Sequence, residues 1–154
     1  MSEAEKKLEE LGIELIPEDL TGKILKIRRD GNILYLSGNH CRTKEGELIY
    51  EGKLGREVTQ EQGYKAARQV GINQLSTLKD YLGDLDRVDK ILKVKGYVAS
   101  DPDFHNQPEV MYGFTDLMVE VFGKKGMHAR SAIGVPVLPR NMPVEVEMIV
   151  KIKD

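Results

Sequence analysis

The stretch HARSAIGVPVLPRNMPVEVEMIVKI, residues 128–152, holds two apolar segments on either side of a turn that contains Pro139 and Pro143. In each segment bulky apolar residues recur at every second position, which is typical of β-strands with one buried face. We expect the bulky face to meet the helices, with Ser131, Ile133, Val135 and Val137 from the first strand and Val144, Val146, Met148, Val150 and Ile152 from the second. The other face would then carry Arg130, Glu145 and Glu147.

Two interpretations fit an arginine and a glutamate on one sheet face. One is a cross-strand ion pair between Arg130 and Glu145, which contributes about 0.2 to 1 kcal/mol. The other is a polar pocket in which the guanidinium binds a ligand carboxylate while the glutamate orients or deprotonates water. The small residues Ala132 and Gly134 on the same face leave room for another copy of the chain, so we expect an oligomer.

The remaining sequence predicts one α+β domain over residues 1–154, in which two main helices cover one face of a mixed sheet. The turn pair Asp30-Gly31 predicts a hairpin. Capping residues, glycine stops and apolar spacing predict the elements in chain order: a short added helix at about 2–11, strands at 23–27 and 32–38, a possible edge strand at 48–50, a helix at 59–82, a strand at 88–100, and a helix that includes Pro108, runs through 110–122 and stops at Gly123.

Composition excludes several classes of protein. The 23 Lys and Arg residues nearly balance 25 Asp and Glu residues, so the formal charge of −2 gives no support to nucleic-acid binding. No apolar run approaches the roughly 20 residues that cross a membrane. The charged N-terminus is unlike a secretory signal, and the single cysteine, Cys41, excludes an intramolecular disulfide. These features predict a cytoplasmic location.

Four other side chains could carry chemistry. His40 and Cys41 are adjacent, so on a strand they point to opposite faces and make a poor metal site; a packed thiol is a better interpretation of Cys41 than a nucleophile. His128 could hydrogen-bond a ligand or simply be a partly exposed residue before a strand. Arg140 could line the rim of a cleft or be a solvated loop residue. The sequence favours the structural interpretation of each.

The segment ARSAIGVPVLPRNMPVEVEMIV resembles the signature of the RidA family, the reactive imine and enamine deaminases formerly called endoribonuclease L-PSP. The family pattern is Ala-Arg-Ser, an alternating strand, Leu-Pro, and then two glutamates between aliphatic residues. The segments YLSGN, YKAARQVGINQL and KGYVAS follow the family order, so the resemblance covers roughly residues 23–152. Only the N-terminal helix lies outside it.

The resemblance implies a chorismate-mutase-like fold and a homotrimer with a central barrel and ligand clefts between subunits. It also implies hydrolysis of short-lived 2-enamino and 2-imino acids to 2-keto acids and ammonia, without a cofactor or metal. By this analogy Arg130 binds the substrate carboxylate and Glu145 positions the attacking water. Backbone groups near Ser37, Gly38 and Ala132 would complete the cleft.

Some positions of the expected cleft differ from the family pattern. Ile24 takes the place of the usual tyrosine, Asn39 of a glutamine, Ala132 of a cysteine, and Tyr112 of an asparagine in the second main helix. These differences place the chain in a divergent branch and favour, as an alternative, a non-catalytic protein that binds small carboxylates or keto acids. Ribonuclease activity has only the older family name in its favour.

Overall fold

The computed structural model describes residues 1–154 and contains three α-helices and one five-stranded sheet. The helices are α1 Glu3–Glu10, α2 Gln60–Leu82 and α3 Gln107–Phe122. The strands are β1 Ile27–Asp30, β2 Ile33–Asn39, β3 Val88–Ala99, β4 Ala129–Val135 and β5 Val144–Ile152. This architecture confirms the α+β, chorismate-mutase-like fold. None of the helices combines the length and the apolar character that crossing a membrane would require.

The strands lie in the order β1-β2-β5-β3-β4. Strands β3 and β4 are parallel, with α3 as their crossover connection, and every other pair is antiparallel. A parallel pair needs such a crossover because its strands run in the same direction. Strand β4 therefore lies at the sheet edge, separated by β3 from β5, and the strands of Arg130 and Glu145 are not neighbours.

Helices α2 and α3 pack side by side on one face of the sheet. Thr59 caps α2 in a capping box with Gln62, and Gly83 ends that helix at a φ of 78°. The helices approach closely at Gly113, where an added Cβ would lie 2.0 Å from the carbonyl oxygen of Tyr64. Only glycine therefore fits at this position, because any larger side chain would overlap the backbone of α2.

Several element boundaries differ from the sequence prediction. Strand β1 begins at Ile27 rather than at residue 23, and β4 ends at Val135. The possible edge strand at 48–50 is reduced to an isolated bridge between Leu48 and Arg42. Strand β3 is one continuous strand, but an irregularity opposite β5 places Ile91 in the core and leaves Leu92 only partly buried. Such a bulge inserts one residue and reverses the alternation of side chains beyond it.

The predicted orientation of β4 is wrong. Arg130 pairs with Val94, which is fully buried beneath the helices, whereas Ile133 is 45% exposed on the other face. Strand β4 lies too close to α3 for bulky side chains on the face between them. A Cβ added at Gly134 would lie only 2.8 Å from Nε2 of Gln107 on α3. The small residues of β4 consequently lie under α3, and its bulky residues lie on the helix-free face.

Helix α1 joins the domain through a cap provided by a distant residue. The carboxylate of Asp86 accepts hydrogen bonds from the backbone N–H groups of Glu3 and Ala4. Ser2 and Glu5 add a capping box, and Ala4 and Leu8 are buried. The N-terminal helix is therefore packed as part of the domain.

Candidate functional site

The first group of site residues surrounds Arg130 and is called here the arginine cluster: Tyr112, Thr115, His128 and Arg130. Nη1 of Arg130 donates a hydrogen bond of 3.0 Å to Oγ1 of Thr115, and the guanidinium carbon lies 4.6 Å from the ring centroid of Tyr112. No acidic side chain of the chain forms a salt bridge with this guanidinium. Most of its N–H donors thus remain available to a ligand.

Helix α3 and strand β4 together position this cluster. Tyr112 and Thr115 are three residues apart on α3 and lie on one side of the helix. Parallel pairing with β3 places Arg130 beside this side of α3, at the edge of the sheet. Ala132 follows on the same face of β4, where it is half-buried against the core. The side chain of Tyr112 is 49% exposed, so the cluster is open to solvent.

The second group of site residues lines what is called here the glutamate cavity, about 170 Å³ in volume: Gly38, Asn39, His40, Arg42, Leu48, Pro139, Arg140, Met142 and Glu145. Glu145 lies on the helix-free face of β5, where it pairs with Tyr97 of β3. A Cβ added at Gly38 would lie 2.6 Å from Oε2 of Glu145, so only glycine leaves the carboxylate in this position.

The electrostatics of the glutamate cavity favour proton exchange at Glu145. Burial raises the pKa of Glu145, and the negative charge of Glu147 raises it further. Glu147 itself accepts a hydrogen bond of 2.5 Å from the hydroxyl of Tyr97, and this bond raises the pKa of Tyr97 to about 12. A carboxyl group whose pKa moves toward neutrality is better suited to general acid–base chemistry.

The backbone beside Glu145 is held by a buried amide that the sequence analysis did not identify. Nε2 of Gln74 donates hydrogen bonds to the carbonyl oxygens of Ser37 (3.0 Å) and Val146 (2.9 Å). Its Oε1 accepts a 3.3 Å bond from Asn39, next to an irregularity in β2 between Leu36 and Asn39. The sequence did offer a signal for this role, because Gln74 stands among the regularly spaced apolar residues of α2. An amide buried there needs specific hydrogen-bond partners.

The other predicted residues lie in different surroundings. Ile24 is 82% exposed in the loop before β1, and the hydroxyl of Ser37 donates to the carbonyl of Leu25 at 2.7 Å. Cys41 is fully buried, and burial raises its pKa, which fits a packed thiol. Arg140 lines the cavity from a left-handed backbone conformation with a φ of 56°.

Arg130 and Glu145 do not meet within one protomer. Arg130 lies on the helix side of the sheet and Glu145 on the helix-free side. Val94 pairs with both Arg130 and Met148, so the two site residues are two strands and three residues apart, about 14 Å between Cα atoms from standard strand spacings. The cross-strand ion pair and the shared sheet face are both wrong. The chain instead carries two separate groups of polar residues.

The role of Gln74 gives a prediction about stability. Replacing Gln74 by Leu should lower the free energy of unfolding by about 1–3 kcal/mol, because a buried carbonyl group and a partly buried one lose their donor. Urea unfolding of both proteins measures the difference. Gln69→Leu is the matched control on the same helix, since its amide is only partly buried and does not contact the sheet. An equal loss in both variants would contradict the specific role of Gln74.

Comparisons with known proteins agree with this fold. A family model described as "YjgF/chorismate_mutase-like, putative endoribonuclease" matches residues 21–152. Protein TCP17 of Trypanosoma cruzi is 38% identical over 125 residues, which cover 80% of this chain and 78% of that protein. The crystal structure of Atu1372 from Agrobacterium tumefaciens, a protein of unknown function, has a TM-score of 0.91 and 35% identity and covers 98% of this chain and 93% of that chain. RidA from the Antarctic bacterium Psychrobacter has the same fold, with a TM-score of 0.58, 23% identity and coverage of 89% and 94%. The chain therefore belongs to the YjgF/chorismate mutase-like family, which is the RidA family indicated by its Ala-Arg-Ser and Glu-aliphatic-Glu segments.

Proposed function

We propose that the protein hydrolyses small 2-imino and 2-enamino acids to 2-keto acids and ammonia, in clefts formed where the arginine cluster of one protomer meets the glutamate cavity of its partner. The observation that carries the proposal is the separation of the two groups: Arg130 lacks an anionic partner and Glu145 lacks a cationic one within the protomer. A homotrimer, as in the family resemblance, supplies three such clefts.

The helix-free face of the sheet supports assembly of several copies. Tyr35 and Ile133 are 47% and 45% exposed there, and a cavity of about 230 Å³ beside Tyr35 is lined by Lys93, Glu147 and Ile149 among others. An exposed sheet face with large apolar side chains is suited to burial against another chain. Covering this face in a closed ring would bring Glu145 of one copy to the boundary with the next.

The proposed chemistry requires few protein groups. The guanidinium of Arg130 binds the substrate carboxylate bidentately and leaves C2 of the iminium beside Glu145 of the partner copy. Glu145 accepts a proton from water as the water oxygen bonds to C2 and the C=N π electrons become a lone pair on nitrogen. That proton then passes to the nitrogen, the C–N bond breaks, and the new hydroxyl gives its proton to Glu145 as it becomes the carbonyl. The released ammonia takes this second proton and leaves as ammonium. The balance is one iminium acid and one water consumed, and one 2-keto acid and one ammonium ion released. Since the iminium carbon is already electrophilic, positioning and one base suffice.

Catalysis is tested by adding the protein to 2-aminoacrylate generated in solution and following pyruvate release. We expect the wild type to accelerate release, and both Arg130→Ala and Glu145→Gln to lower kcat/KM at least about 100-fold, because each removes a group that acts directly on substrate. Circular dichroism and sedimentation of the variants check that fold and assembly are retained. A folded wild type that binds 2-ketobutyrate in a calorimeter but accelerates no imine hydrolysis would contradict the enzyme and favour a binding protein.

The raised pKa of Glu145 predicts the pH dependence. Glu145 must be deprotonated to accept a proton from water, so kcat/KM should increase as pH rises through its pKa. Removing the neighbouring charge with Glu147→Gln should lower that pKa and move the acidic limb of the pH profile to lower pH. Glu109→Gln on α3, away from the cavity, is the control. A limb that stays in place or moves to higher pH would contradict the assignment of Glu145 as the base.

A further inference from the structure

A chain of hydrogen bonds links the guanidinium of Arg130 to the protein backbone. Nη1 of Arg130 lies 3.0 Å from Oγ1 of Thr115, which lies 3.0 Å from Nε2 of His128. Nδ1 of the same imidazole lies 2.7 Å from the carbonyl oxygen of Gly126. All three side chains are partly buried between α3 and the start of β4. The arginine is thus connected to a fixed backbone carbonyl.

The acceptor at Gly126 determines the direction of every bond in this chain. A carbonyl oxygen can only accept, so Nδ1 of His128 carries the hydrogen. In the neutral ring Nε2 is then an acceptor, and the hydroxyl of Thr115 donates to it. The oxygen of Thr115 consequently turns a lone pair toward Nη1 of Arg130. Each group has one assigned role, and the hydroxyl rotor is fixed.

We infer that Thr115 and His128 are positioning residues, which orient the guanidinium of Arg130 to bind a ligand carboxylate. The inference rests on the proposed function only in requiring that Arg130 binds a carboxylate. Thr115 engages one edge of the guanidinium and Tyr112 covers one of its faces. The donors on the remaining edges stay free for a two-point contact with a carboxylate, which depends on the orientation of the guanidinium plane.

Fixing the arginine before binding has a physical advantage. The arginine side chain has many rotamers, and a carboxylate that must immobilise a freely moving guanidinium bears the entropic cost of ordering it. A hydrogen bond to a hydroxyl that is itself fixed by a histidine reduces that cost in advance. No carboxylate of the chain competes for the guanidinium, so this orienting role falls to neutral groups.

The surroundings of His128 keep its ring in the form that the chain requires. Burial lowers the pKa of His128, and the positive charge of Arg130 lowers it further, whereas the bond to Gly126 opposes these effects. The ring is therefore neutral at neutral pH and Nε2 can accept. Phe114, with its ring centroid 6.4 Å from that of His128, adds an apolar neighbour in an edge-on arrangement.

The test replaces Thr115 with Val, which puts a methyl group in the place of the hydroxyl, and with Ser, which keeps the hydroxyl and lacks the methyl group. Calorimetry with 2-ketobutyrate should give a Kd about tenfold higher for Thr115→Val than for wild type, because a charge-assisted hydrogen bond is lost. Thr115→Ser should retain wild-type affinity, since it keeps the hydroxyl. Methyl 2-ketobutyrate, which lacks the carboxylate, should bind both variants like wild type. Equal affinity of the Val variant and wild type for the keto acid, or no binding by wild type, would overturn the inference.

Two further measurements separate positioning from general packing. In the Arg130→Lys variant, the further change Thr115→Val should alter the Kd less than about twofold, because the guanidinium that Thr115 orients is already absent. A full tenfold loss in that background would overturn the inference. Nitrogen NMR of His128 at pH 8 should show the hydrogen on Nδ1, and a hydrogen on Nε2 would contradict the direction of the chain. Keto-acid binding without imine turnover would end the proposed activity but leave this inference intact.

Discussion

The constraint on which the site depends is that α2 and α3 cover one face of the sheet and leave the other uncovered. In a strand, successive side chains point to opposite faces, so each strand's register assigns every residue to one of them. This assignment places Arg130 under the flank of α3 and Glu145 on the uncovered face. We therefore propose that a ligand that needs both groups is bound by two copies of the chain.

The helices also supply the groups that hold each part of the site. Gln74 of α2 fixes the backbone of β2 and β5 around the glutamate cavity through two carbonyl groups. Thr115 and Tyr112 of α3 contact the guanidinium from the other side of the sheet. Polar residues of the two helices thus connect core packing to the geometry of the site.

Much of the fold could be predicted from sequence because α1 and α2 begin at capping residues and because the helices and central strands have periodic apolar residues. The orientation of β4 could not, because bulky residues ordinarily face the core and here α3 lies too close to permit them. The strand order could not be read either, since the turn at Pro139 suggests a hairpin whereas β3 separates β4 from β5. Both errors concern neighbours distant in sequence: the orientation error placed Arg130 on the face of Glu145, and the strand-order error made their two strands adjacent.

In the proposed enzyme, one active cleft takes its arginine and its glutamate from different copies of the chain. The most direct measurement mixes unfolded Arg130→Ala and Glu145→Gln variants in equal amounts, refolds them together, and assays imine hydrolysis. Random assembly pairs an intact arginine with an intact glutamate in about a quarter of the clefts, so about a quarter of wild-type activity should return. Activity that remains at the level of the separate variants, in mixed oligomers confirmed by mass, would contradict the shared cleft.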